Sequence, residues 1–148
     1  HYHNAEAEVI LDAVLARLSA IPGVDLVYMA RSSDQTAILA RHAFERVIVP
    51  EKVYDGPSLI AAMDLVIGGG GTMTREAAVL GISACSFFRG HLGRVDERLQ
   101  RDGHLRMLRC PDDVHELHVA KRDGPIVAPD STDLVAFLCD QIESVSRA

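Results

Sequence analysis

The chain has 148 residues, 48% of them apolar and 24% charged, which suits one globular domain with a real core and excludes a disordered chain. A net charge of −6 and a pI near 5.6 argue against a nucleic-acid binder, because phosphate backbones need a basic face. With 5% aromatic residues and no Trp, base-stacking platforms are disfavoured too, and no run has the length of a membrane span.

Taken in chain order, Asn4 suits an N-cap and Ala5 to Ser19 a helix, with Val9, Ala13, Leu15, Ala16 and Leu18 as its apolar stripe. Pro22-Gly23 punctuates, and Val24 to Ala30 reads as a strand. Arg31 to Asp34 is a polar loop before a helix over Gln35 to Ala43, and Val47 to Pro50 is a second short strand. Asp55-Gly56-Pro57 opens a helix through Met63, with Pro at or near its first position. Asp64 to Ile67 is a third strand, then come Gly68 to Gly71 and a helix from Thr72 or Met73 that Gly81 ends. Ser83 to Phe88 is a fourth strand, Arg94 to Arg101 a helix stopped near Gly103, and Leu105 to Leu108 a fifth strand. Residues 111–125 read mostly as loop with one helical turn, and Ser131 or Thr132 caps a final helix to about Ser144. Strands that alternate with helices throughout predict an α/β fold, a parallel sheet with helices on both faces and ligands at the carboxyl ends of its strands.

The three cysteines, Cys85, Cys110 and Cys139, are odd in number and widely spaced, and no signal-peptide pattern appears. That points to a reducing, cytoplasmic protein, with Cys85 a buried core thiol. The chain begins at His1 without a methionine and enters a helix almost at once, so a piece of a longer protein is expected.

Four glycines in a row between an apolar strand and an amphipathic helix form the main candidate site. A helix N-terminus has unpaired N–H groups and about half a positive charge, and glycines let the backbone approach a diphosphate without Cβ interference. A plain tight turn is the alternative. The loop lacks the third glycine of the dinucleotide fingerprint and has no Gly-Lys-Ser/Thr, which demotes dinucleotide oxidoreductases and P-loop ATPases. Arg31 and Arg89, each following a strand, read as phosphate contacts or as solvated loop charges, and Arg75 lies on the first turn of the helix. Glu76, one turn beyond the loop, is placed to accept from ribose hydroxyls, although an acid near a helix N-terminus is favourable anyway. His91 is a candidate acid or base. His115 and His118 have a spacing that can share a helical face, but no third ligand is implied and no metal site is assigned.

The run VPEKVYDGPSLIAAMDLVIGGGGTMTREAAVLGISACSFF resembles the donor-binding half of GT-B-type glycosyltransferases and UDP-N-acetylglucosamine 2-epimerases. More narrowly, it resembles a mainly archaeal family of uncharacterised proteins, catalogued as a domain of unknown function and related to both. The resemblance implies a Rossmann-like fold, the C-terminal half of a GT-B protein, spanning 1–148 and lacking its first strand and an upstream N-terminal domain. It implies phosphate binding by Gly70, Gly71, Thr72 and Met73 with Arg31, ribose binding by Glu76, and base contacts at Val53 and Tyr54; the glycine loop itself adds Gly69 to the phosphate contacts, and the loop after the fourth strand adds Arg89. His1, His3 and Asn4 would line the cleft, and His91, by its place after a strand, is a further candidate for it. No cofactor is implied, since a UDP-sugar would be the substrate.

The expected function is therefore the nucleotide-sugar-binding half of a glycosyltransferase or sugar-nucleotide 2-epimerase, inactive without its upstream half. Its partners are a nucleotide-sugar and that domain, with no nucleic acid and no membrane span expected, and an exposed sheet edge leaves room for a homo-oligomer. A non-catalytic nucleotide- or anion-binding module for regulation or assembly is the alternative.

Overall fold

The computed structural model describes residues 5–30 and 33–126, and 132, 136, 139, 140, 142 and 143 beyond them. Its elements are α1 (Ala5–Ser19), β1 (Asp25–Val27), α2 (Ser33–Leu39), β2 (Arg46–Ile48), α3 (Gly56–Ala61), β3 (Leu65–Gly68), α4 (Thr72–Val79), β4 (Ser83–Ser86), α5 (Arg94–Arg101), β5 (Arg106–Met107) and α6 (Pro111–His115). Strand and helix alternate as the sequence predicts, and the strands pair in parallel. The fold is α/β with parallel sheets flanked by helices, in keeping with a Rossmann-like architecture.

Local chemistry explains the helix boundaries. Asp55 caps α3, accepting the Ser58 N–H at 3.0 Å, with Pro57 in the first turn. The Ser58 hydroxyl and N–H hold the Asp55 carboxyl below the usual carboxylate range. Gly81, at φ 71°, takes the left-handed turn that stops α4, and Gly103, at φ 79°, does the same after α5. Expected helix 35–43 instead starts at Ser33 and closes at Leu39, because Arg41 and His42 bond three residues back and tighten the chain into a turn. All the strands but β3 are shorter than expected; β1 keeps three residues, with Tyr28 N–H reaching Ile48 O at 2.9 Å beyond them. Asn4 and most of the helix expected over 131–144 lie outside the described residues.

One sheet was expected, and the described residues form two: β1 with β2, and β3-β4-β5 in that order. Parallel neighbours need a crossover between them. The crossover α3 carries the chain from β2 to β3, which then pairs with β4 and not with β1. Helix α1 packs over both sheets: Ile10, Val14 and Leu18 cluster with Cys85 and Leu108, and Leu26 of β1 and Leu65 and Ile67 of β3 pack against them. On the opposite face Ile60, Ala77, Ala78 and Leu99 bury Ala84 and Leu105, with Val66 against them. Leu65 and Ile67 thus face one helix layer and Val66 the other, the period of two that a strand imposes. A third cluster joins Leu15 of α1 to Tyr28, Ile38 and Leu39. Cys85 is the core thiol expected, its pKa pushed up by burial to about 11.

Candidate functional site

Strand β3 ends on Gly68, and Gly71 is the N-cap of α4, so the glycines form the whole strand-to-helix turn at the carboxyl end of β3. Gly70 and Gly71 sit at φ 94° and 105°, where side chains are strained. They are bare for different reasons. A Cβ on Gly70 would lie 2.9 Å from Cβ of Phe88, whereas one on Gly71 would meet nothing within 4 Å. The loop is therefore packed under the exit of β4 on one side and open at Gly71. The N–H groups of Thr72, Met73 and Thr74 begin the helix without partners four residues back. Thr74, only 2% exposed, donates its hydroxyl to Gly71 O at 3.1 Å and ties the loop to the helix.

Beside this turn lies a cavity of about 260 Å³, walled by Gly69 to Gly71 together with Arg75, Ser86, Phe88, Leu92 and Asp96. Ser86 is buried, pairs with Gly68 across the ladder and accepts the Phe88 N–H at 3.3 Å. Arg75 makes a two-bond fork to Asp96, Nε to Oδ1 and Nη2 to Oδ2, each 2.8 Å. The guanidinium holds the Asp96 carboxyl below the usual carboxylate range, and Asp96 raises the pKa of Arg75 in return. A second hollow of about 290 Å³ opens at the amino ends of β3, β4 and β5, lined by Leu65, Ser83, Arg106 and His118 among others. In open parallel sheets ligands gather at the other end, so the glycine-loop cavity is the candidate site.

Glu76 is half-buried next to Arg75, and a Cβ on Gly56 would lie 3.8 Å from its Oε2. Its carboxylate thus stands at the start of α3, two residues after Tyr54 in sequence. Val53 is fully exposed and Tyr54 largely so. Arg89 does not line the cavity: its Nη2 donates to Leu108 O beyond β5, and its Nε is buried without a partner among the described residues. His91 is exposed, its Nδ1 2.8 Å from Leu92 O. Arg31, His1, His3 and Asn4 lie outside the described residues. Helix α6 ends at His115, so His118 is off the helix and the two do not share a helical face.

The sequence reading missed Ser86, Phe88, Leu92 and Asp96. Ser86 carried a signal, as a polar residue inside an apolar strand one ladder rung from the glycines. Asp96 carried little, because an acid in the first turn of α5 is what any helix favours.

Residues 1–124 match the family described as "Protein of unknown function (DUF354)". Uncharacterized protein MJ0665 of Methanocaldococcus jannaschii is 33% identical over 133 residues, 85% of this chain and 37% of that protein. The chain therefore spans well under half the length of this curated relative. No solved structure matches. Among the described residues no helix is long and apolar enough to cross a membrane. With the match running from the first residue through α6 and covering the whole glycine-loop site, the chain belongs to the DUF354 family.

Proposed function

We propose that this chain is the nucleotide-sugar-binding half of a GT-B-like enzyme that acts on a UDP-activated sugar by glycosyl transfer or 2-epimerisation. The observation that carries the reading is the cavity at the start of α4; Glu76, on the same helix, does not line it and directs its carboxylate to the start of α3. Backbone N–H groups of Gly70, Gly71, Thr72 and Met73 would take the diphosphate, supported by the positive end of the α4 dipole. Glu76 would accept from the ribose, and the Val53-Tyr54 backbone would meet the base. Arg75 supplies a cation at the cavity, and Arg89 would join it only by leaving Leu108 O. The helix N-terminus and arginine would stabilise a departing diphosphate, so catalysis in this half is positioning and electrostatics. The acceptor site and catalytic base fall to an upstream domain.

The split sheet supports an upstream segment as well. Helix α1 enters β1 through the short connection Ala20 to Val24, and a strand ahead of α1, parallel to β1, would complete a right-handed β-α-β unit with them. The strip beneath α1, bordered by β1 and β3, is where that strand would pair.

Calorimetric titration of the full-length protein with UDP, ADP, GDP and UDP-N-acetylglucosamine tests the reading. Saturable uridine-diphosphate binding that weakens about tenfold in Glu76→Ala, about 1.4 kcal/mol, is the expected result. Failure of every nucleotide to bind the folded protein overturns it. Binding without turnover on any acceptor would favour a regulatory binding module.

A further inference from the structure

We propose that Asp96 is a positioning residue: it orients Arg75 so that the remaining guanidinium nitrogen, Nη1, meets an anion held at the glycine loop. The proposal rests on the nucleotide-sugar reading for the identity of the anion, a diphosphate, and goes beyond it in assigning the cation that grips it.

Arg75 and Asp96 are 21 residues apart, on α4 and α5, and both wall the cavity that the glycines open. Their fork uses Nε and Nη2, which fixes the guanidinium plane and leaves Nη1 for another partner. Asp96 is itself held: its side chain is 10% exposed, and the Gly93 backbone at the start of α5 adds to Arg75 in favouring its charged form. A carboxylate in the wall of an anion site repels the anion unless a fixed cation answers it. Arg75 answers it here, and in exchange loses the rotamer freedom that a loose arginine would surrender only on binding. A surface ion pair with no such role needs no cavity beside it and no buried carboxylate.

Two accounts of Asp96 predict opposite signs. If it merely neutralises Arg75, Asp96→Asn frees a positive charge and tightens anion binding. If it positions Arg75, the same change weakens binding. Inorganic pyrophosphate and UDP-N-acetylglucosamine are titrated calorimetrically into the full-length protein, its Asp96→Asn and Arg75→Met variants and the double variant. We expect pyrophosphate affinity to fall about fivefold or more in each single variant, with the double variant no weaker than Arg75→Met, because Asp96 acts through Arg75. Unchanged or tighter binding in Asp96→Asn, unaltered binding in Arg75→Met, or further loss from Asp96→Asn in the Arg75→Met background overturns the proposal. Arg75→Lys keeps the charge but cannot form the fork; should the other variants misfold, wild-type affinity in Arg75→Lys would overturn the proposal and a fivefold loss would sustain it. The two readings separate cleanly. Pyrophosphate binding sensitive to both residues, with no affinity for the nucleotide-sugar, would sink the nucleotide-sugar reading alone. Nucleotide-sugar and pyrophosphate binding indifferent to Arg75 would sink the positioning role alone, and a wild-type protein that binds neither ligand overturns both.

Discussion

Ala84 and Cys85 of β4 are 5% and 4% exposed, whereas Val47 and Ile48 of β2 are 38% and 47% exposed, although all four are apolar residues on parallel strands. The difference is one of cover. Strand β4 lies between β3 and β5 with α1 and α6 against one face and α3, α4 and α5 against the other. Among the described residues strand β2 has a single neighbour, and its partner β1 is packed mainly from the α1 and α2 side. Burial follows from what sits on both faces, not from the strand's own composition. The candidate site belongs to the well-covered half, where the turn from β3 to α4 is braced by Phe87 and Phe88 and by buried Thr74. Backbone donors aimed at an anion work best when they do not have to reorganise.

The contrast can be broken most forcefully in the core. Leu108 has no exposed surface, so Leu108→Ala should cost about 2–5 kcal/mol in chemical denaturation, through lost transfer energy plus a cavity. Gly70→Ala comes next, at about 1–3 kcal/mol, since it adds left-handed strain and a 2.9 Å approach to Phe88. Gly71→Ala, with the strain but no neighbour within 4 Å, should cost less, and paired melting curves would reverse that order only if the loop were not packed under β4.

Asp96→Asn should destabilise by about 1–2 kcal/mol at neutral pH, a charged hydrogen-bonded pair discounted for the half-exposed arginine. Because Arg75 lowers the Asp96 pKa in the folded state, this contribution is complete above the unfolded carboxyl value, about 4, and is lost as pH falls through the lower folded value. Melting temperatures of wild type and variant should therefore converge below about pH 4 and stay apart above it. The smallest effect belongs to the uncovered half: Ile48→Ala should cost under about 0.5 kcal/mol. A loss like that of Leu108→Ala would show that something covers β2 in solution.

Much of the fold was legible in the chain. The helix at 5–19 and the helix at 94–101 fall where periodicity and glycine stops placed them, and Asp55 caps its helix as its Gly-Pro neighbours suggest. Of the site, the glycine turn and the helix start were legible because both are written in contiguous residues. Its far wall was not. Ser86 and Asp96 come from β4 and α5, and nothing local distinguishes Asp96 from the exposed acids around it. Arg89 illustrates the same limit, since its place after a strand suggested a phosphate contact and its guanidinium instead reaches Leu108 O, 19 residues away.

The sequence by itself determined the alternation of strand and helix, the caps and stops, and the four-glycine turn, because propensity, capping and left-handed conformations act over a few residues. Only the tertiary structure decided that the strands divide into two sheets, that Arg75 is forked to Asp96, and that Glu76 lies beside Gly56. Those outcomes depend on which helices pack over which strands and how far each side chain then reaches, and packing of that kind is settled by the whole chain at once.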